Sequence, residues 1–260
     1  MKVLVTGASS GIGADTARLL AQRGDTVGLV ARREDRLREV LADCGENARM
    51  WVTDLGDLDA AERVALEAWE AFGAIDVLVN NAAIPKRRKV LELTADEVEE
   101  TLRVNFLSPV RMTLALLPKM IERGGGTVVN VSSLAGRLGV YQESAYSASK
   151  FALSGWSEAA AIELVDTPVN IRLITPGAID TEIWDRPGNN EPVYVGDKVP
   201  AADVARAILE AVDGASFETW VPDMKSVADM KHEDIDGFLA MQAEWSKAAE
   251  AEPGAGPSGP

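Results

Sequence analysis

Along the chain, short runs of β-branched residues alternate with longer stretches whose apolar positions recur at helical spacing. Val3-Leu4-Val5 precedes a helical stretch from about Ile12 to Arg23, and 26–30 precedes another over 34–42. A strand over 48–52, a helix over 57–72 and the apolar run 75–79 continue the alternation. Thr94-Ala95-Asp96-Glu97 reads as a capping box, in which the Thr hydroxyl and the Glu carboxylate each satisfy the other residue's backbone amide, so a helix opens there. A longer helix covers 105–122 until Gly124-Gly125-Gly126 stops it. Then follow a strand at 127–131, a helix at 146–165, a strand at 169–174, a helix at 201–212 and a strand at 219–221.

Strands joined by crossover helices imply right-handed βαβ units and a parallel sheet. The strand runs do not alternate apolar with polar residues, which suits strands covered by helices on both faces. The expectation is one doubly wound α/β domain over residues 1–249. The tail at 250–260, composed of Ala, Glu, Gly, Pro and Ser, is expected to be disordered.

Composition narrows the function. With 47% of its 260 residues apolar, the chain can bury a full core. Lys plus Arg is 26 and Asp plus Glu is 41, a formal charge of −15 that repels phosphate backbones and anionic bilayers. Neither nucleic acid nor membrane is an expected partner. No run approaches the ~18 apolar residues of a membrane span, and no leader-like segment opens the sequence, so a cytoplasmic protein is the expectation. Cys44 and His232 are the only residues of their kinds. An intrachain disulfide, a cysteine zinc site and a two-imidazole mechanism are thereby excluded, and no metal is expected.

Candidate chemistry starts at the first turn. Thr6-Gly7-Ala8-Ser9-Ser10-Gly11-Ile12-Gly13 lies between a strand and a helix, where glycines let the backbone approach a pyrophosphate seated on the helix N-terminus. The spacing Gly-x-x-x-Gly-x-Gly departs from the G-x-G-x-x-G fingerprint. Gly7-Ala8-Ser9-Ser10-Gly11 also fits the G-x-S-x-G nucleophile elbow, with His232 downstream. Against that rival, only eight residues precede Ser9, too few to supply the oxyanion-hole strand of such a fold. At the end of the second strand, where a ribose-binding acid is expected ~20 residues after the glycines, stand Arg32 and Arg33. Guanidinium groups there match the 2′-phosphate of NADP. Glu34 and Asp35, close by, leave NAD open.

Tyr146 and Lys150, four residues apart on a helix, share a face. An ammonium beside the phenol is expected to favour phenolate and bring its pKa towards neutrality. Ser133, thirteen residues before Tyr146, ends a buried strand and offers a hydroxyl to the same substrate oxygen.

Taken together, Thr6-Gly7-x-x-x-Gly11-x-Gly13, Asn80-Asn81-Ala82-Ala83, Asn105, Ser133, Tyr146-x-x-x-Lys150 and Pro176-Gly177-x-x-x-Thr181 appear in an order and spacing that resemble the short-chain dehydrogenase/reductase family. The resemblance is dense up to about residue 181. It implies a Rossmann-type sheet and hydride transfer between NADP(H) and a carbonyl or secondary alcohol. Tyr146 would be the general acid or base, Lys150 would lower its pKa and bind the nicotinamide ribose, Ser133 would polarise the carbonyl, and Asn105 would hold a water leading to Lys150. Gly7, Ser9, Ser10, Gly11, Ile12 and Gly13 would take the pyrophosphate side. Asp54 and Leu55 would meet the adenine, and Asn81 and Ala82 would steady the central strand and the cofactor. Pro176, Gly177, Ile179 and Thr181 would surround the nicotinamide carboxamide. Arg32 and Arg33 resemble the NADP-preferring members. A homodimer or homotetramer is implied by the same resemblance. Ala83 replaces the usual glycine, and Ser10 lacks the basic side chain that some members place in the glycine turn.

Three segments carry further expectations. Lys86-Arg87-Arg88-Lys89, the densest basic run, either holds a substrate anion or is a solvated or salt-bridged loop. Residues 182–199 with Trp184, Pro187, Pro192 and Tyr194 read as an apolar lid, Gly188 and Gly196 allowing movement. Met224, Met230, Phe238, Met241 and Trp245 are expected to pack on the core. The reading is an NADP(H)-dependent carbonyl reductase or alcohol dehydrogenase. Its alternatives are an NAD-dependent enzyme of the same family and a dinucleotide-binding regulator without turnover.

Overall fold

The computed structural model describes residues 1–194 and 196–251. In chain order its strands are β1 (Lys2–Thr6), β2 (Thr26–Ala31), β3 (Ala48–Val52), β4 (Val77–Asn80), β5 (Gly126–Val131), β6 (Val169–Pro176), β7 (Ile179–Asp180), β8 (Val199–Pro200) and β9 (Glu218–Val221). The helices are α1 (Gly11–Gln22), α2 (Glu34–Cys44), α3 (Leu58–Phe72), α4 (Ala95–Leu102), α5 (Ser108–Arg123), α6 (Ser144–Glu163), α7 (Ala201–Asp213), α8 (Lys225–Glu233) and α9 (Ile235–Ala251). Seven strands form one parallel sheet in the order β3-β2-β1-β4-β5-β6-β9, and β7 pairs with β8 apart from it.

The unbroken apolar runs follow from burial of both sheet faces. Val3 and Val5 of β1 and Val77 and Val79 of β4 enter one cluster, with Ala17 and Leu20 of α1 and Val204 of α7. Leu4 and Leu78, pointing the other way, enter a second with Ala61 and Val64 of α3 and Leu116 of α5. Successive strand residues face opposite sides, so strands covered on both faces are apolar at most positions.

The capping box at Thr94 forms as expected and starts α4. Between α4 and α5 the helix widens into a π turn over Arg103–Leu107, which brings Asn105 into the interior. One boundary differs from expectation. The last helix extends through Glu250 and Ala251, because Glu250 pairs with Lys89 at 2.7 Å and accepts from the Tyr141 hydroxyl at 2.7 Å. The remainder of the expected disordered tail, 252–260, lies outside the described residues. Among the described residues no helix is long and apolar enough to cross a membrane.

The sheet order reverses at β1, which lies between β2 and β4, so a crevice opens beyond the C-terminal ends of these strands. Gly7 (φ +67°) and Gly11 (φ +52°) carry the chain across that crevice in the left-handed region. Gly13 is required for close approach instead. A Cβ there would lie 2.4 Å from the Gly7 carbonyl oxygen and 2.5 Å from Asn81 Nδ2. Gly13→Ala is therefore expected to destabilise the fold by about 1–3 kcal/mol, read as a lower Tm in calorimetry.

Candidate active site

Two hydrogen-bonded frames set the site. In the first, Thr6 Oγ1 donates to the Val79 carbonyl and accepts from the amides of Asn81 and Ala82, while Asn81 Nδ2 donates to the Thr6 carbonyl at 2.9 Å. The glycine turn after β1 is thereby bolted to the end of β4. In the second, Asn80 Nδ2 donates to Asn130 Oδ1 at 2.9 Å, and Asn130 Nδ2 donates to Ser157 Oγ on α6 at 2.8 Å. This row joins β4, β5 and α6 through the buried interior.

The frames bring the expected residues together. A cleft of about 230 Å³ is walled by the glycine turn, Arg32 and Arg33, Asp54 and Leu55, Asn81 and Ala82, Ser133, Tyr146, Lys150 and the segment from Pro176 to Thr181. Gly13 and Asn105 are the two expected site residues outside this wall. Gly13 packs α1 on the turn, as above. Asn105 is fully buried, accepts from the Ile84 amide at 2.8 Å, and donates to the Ile84 carbonyl and Ser149 Oγ, each at 3.0 Å. Both of its amide protons are committed, so it braces the segment after β4 from behind the cleft rather than facing it. His232 sits on α8 and lines neither this cleft nor the cavity beside it. Ser9 receives a hydrogen bond from Arg33, at 3.3 Å, in place of an imidazole.

Lys150 is 2% exposed and donates to the Val131 carbonyl at 2.8 Å, with its Nζ 5.7 Å from the centre of the Tyr146 ring. Burial depresses its pKa to about 7. The expectation that this ammonium lowers the Tyr146 phenol is not met: the phenol is raised, and Lys150 is not among the causes. Burial raises the phenol, the Glu143 carboxylate raises it further, and only the hydrogen bond from Ser133 favours phenolate. Both serines that follow β5 line the cleft, and the Ser132 hydroxyl is engaged with the Lys150 carbonyl and Ser154 Oγ.

At the other end of the cleft Arg33 donates to Ser10 Oγ at 2.6 Å and to Glu182 at 2.7 Å, tying the glycine turn to the segment after Thr181. Arg32 approaches Asp54 at 3.9 Å. Arg186 lines the same end, and burial and the charge of Arg33 both lower its pKa.

Set against this geometry, a family model described as short chain dehydrogenase matches residues 1–192. The chain belongs to the short-chain dehydrogenase family. The uncharacterized oxidoreductase YxnA of Bacillus subtilis (strain 168) is 36% identical over 229 residues, 84% of this chain and 64% of YxnA. The chain thus spans a little under two thirds of that relative's length. A short-chain dehydrogenase/reductase from Burkholderia phymatum, solved in complex with NAD, superposes with a TM-score of 0.83 at 25% identity, covering 90% of this chain and 94% of that one. One from Sphingobium yanoikuyae, solved in complex with NADPH, gives 0.80 at 27% identity over 92% and 95%.

For this short-chain dehydrogenase the basic run does not hold an anion site. Lys86 and Arg88 each lie 3.4 Å from Glu97, Lys89 pairs with Glu250, and Arg87 is 4% exposed. The Arg87 guanidinium donates to the carbonyls of Trp184 and Asn190 and stacks 5.7 Å from the Trp184 ring, so it straps down the lid. Within the segment expected as a lid, of which residue 195 lies outside the described residues, Trp184 stacks on Tyr194 at 6.1 Å, and Trp184 Nε1 donates to the Ile179 carbonyl. The C-terminal side chains divide. Phe238 is buried in a small cluster with Leu138 and Val227, against which Met224 packs while also lining a second cavity; Met230 is exposed, and Met241 and Trp245 wall that cavity.

Glu143 is a site residue the sequence reading missed, though its place one helical turn before Tyr146 signalled it. Burial pushes its carboxyl up to about 7, partly offset by the Arg87 charge. Between 4.5 and about 7 the folded chain holds a proton on Glu143 that the unfolded chain has lost, so stability falls as pH rises. Between about 7 and 10.5 the unfolded chain holds a proton that Lys150 has lost, so stability rises as pH rises. Glu143→Gln is expected to stabilise the cofactor-free protein by about 1–3 kcal/mol at pH 7 and above, with no gain near pH 4.5. Lys150→Met should gain as much at pH 7 and below, with no gain near pH 10.5. Thermal melts across pH check both signs.

Proposed function

We propose that the protein is an NADP(H)-dependent oxidoreductase interconverting a carbonyl compound and its alcohol. The observation that carries this reading is the convergence of Ser133, Tyr146 and Lys150 on one wall of a glycine-lined cleft whose far end is rich in guanidinium groups.

The cleft residues fit a dinucleotide. A Cβ on Gly11 would lie 2.9 Å from the Thr181 side chain, so the turn keeps free a surface that any larger residue would fill. The N-terminus of α1 opens at that turn with no side-chain cap, leaving its amides for a pyrophosphate. Arg32, Arg33 and Arg186 outnumber Asp54 and Glu182 at the ribose end, in a chain of net charge −15. This local excess supports a 2′-phosphate. Of the two solved relatives above, one binds NADPH and the other NAD.

When bound, the dinucleotide supplies or takes the hydride. The chain's residues supply the rest. Tyr146 donates its phenolic proton to the carbonyl oxygen during reduction and accepts one during oxidation. Ser133 donates a hydrogen bond to the same oxygen. Lys150 retains donors beyond its bond to Val131 for the ribose hydroxyls. Asn105 is a positioning residue, acting through Ile84 and Ser149. Leu107, Leu114 and Ile121, seven residues apart and exposed along α5 and the π turn before it, offer an apolar stripe on which a second copy could form the expected oligomer.

Tyr146→Phe is expected to lower kcat by about 10²–10⁴-fold while cofactor affinity, read by NADPH fluorescence, stays near wild type. Retained turnover would remove Tyr146 as the acid. Arg32→Asp is expected to shift the NADPH-over-NADH ratio of kcat/KM towards NADH by at least about tenfold. An unchanged ratio would move phosphate recognition to other residues.

A further inference from the structure

Next to the cofactor cleft lies a second cavity of about 700 Å³, between the segment after Ser133, the lid and α9. Leu138, Val140, Val227, Met241 and Trp245 give it apolar walls, so it suits an apolar body. Polar residues line it as well, among them Ser133, Glu143, Glu191 and Asp197. Glu143 lines both this cavity and the cofactor cleft, as do Ser133 and Arg87. Arg87 is consumed by lid carbonyls. The Glu143 carboxyl differs: among the described residues it has neither a hydrogen-bond partner nor an ion pair, and it does not cap α6, at whose N-terminus it stands.

Two further observations mark the same wall. Gln142 has φ +61° and is the one non-glycine residue in the left-handed region among those described, a strain that persists where surrounding structure enforces it. Gln142 Oε1 and Trp245 Nε1, both from cavity-lining residues, are buried without partners. Buried polar groups without partners are costly unless a ligand completes them.

We propose that the substrate is a carbonyl compound, or its alcohol, with an apolar body and a hydroxyl on the carbon next to the reacting one, and that Glu143 accepts that hydroxyl's hydrogen bond. This rests on the carbonyl chemistry proposed for Ser133 and Tyr146. Glu143 stands at the N-terminus of α6 three residues before Tyr146, lines the same cleft, and its charge acts on the Tyr146 phenol, so a substrate whose oxygen meets Tyr146 carries a neighbouring hydroxyl towards Glu143. A hydroxyl fits better than an ammonium, because the guanidinium of Arg87 is near enough to act on the carboxyl and would repel a second cation. Near neutrality the carboxyl exchanges its proton readily and can accept a hydrogen bond in either form.

2-Hydroxyacetophenone and acetophenone share an aryl ketone and differ in that one hydroxyl. Their binding to the full chain without cofactor can be read from tryptophan fluorescence, since Trp184 and Trp245 line the cavity. Turnover is read as NADPH consumption. The wild type is expected to bind the hydroxy ketone about tenfold more tightly and to reduce it with a higher kcat/KM, the gain lying in KM. Glu143→Leu erases the preference, and Glu143→Gln, which keeps an acceptor oxygen, restores part of it. Equal affinity for the two ketones in the wild type, or a preference surviving in folded Glu143→Leu, overturns the proposal. A wild type that shows the binding preference but consumes no NADPH with either ketone upholds this recognition while defeating the reductase reading.

Discussion

The Lys150 ammonium, removed from water, meets the Val131 carbonyl at 2.8 Å where β5 leaves the sheet. An unpaired charge at that depth would be prohibitive, so α6 must lie where this bond can form. Two consequences follow from the one contact. Tyr146, one turn earlier on α6, is held over the cleft, and Ser133, two residues beyond Val131, is held beside it. The row from Asn80 through Asn130 to Ser157 fixes the same helix against the same strand from further along. Reactive side chains from two elements are thus registered by buried polar bonds, which tolerate less sliding than apolar packing does.

Electrostatics divides the site in two. The ribose end gathers guanidinium groups that no local carboxylate fully balances, and the lid reaches into that cluster through Glu182, whose carboxyl is held below its ordinary range chiefly by the hydrogen bond from Arg33. At the other end, desolvation dominates: Tyr146 and Glu143 are pushed up and Lys150 down. Paired titratable groups moved off their ordinary values by shared burial are what proton-transfer chemistry requires. The lid spans both ends, since Glu182 touches the arginines and Trp184 roofs the apolar cavity.

Much of the fold could be read from the residues. Strands buried on both faces must be largely apolar, and crossover helices must be amphipathic, so β1 to β6, β9 and α1 to α7 stood out. Thr94 and Glu97 announced α4 because a capping box depends only on neighbours in sequence. Ser133, Tyr146 and Lys150 were legible through spacing and resemblance, whereas Asn105, expected to hold a water leading to Lys150, spends both amide protons on Ile84 and Ser149. The π turn that swings it behind Ile84 leaves no mark in residue order. α9 was not read as a helix, and it carries Met241 and Trp245 to a cavity wall formed with residues distant in the chain.

The sequence by itself determined the sheet, its glycine turn and the pairing of Tyr146 with Lys150, because period, propensity and one-turn spacing are local properties. Only the tertiary structure decided the charge states and the partners. Whether a phenol sits above or below its ordinary pKa depends on how much water the surrounding elements exclude. Whether Arg87 binds an anion or straps down a lid depends on carbonyls about a hundred residues away. The carboxyl of Glu143 acquires its significance in the same way, from the apolar cavity that three separated segments close around it.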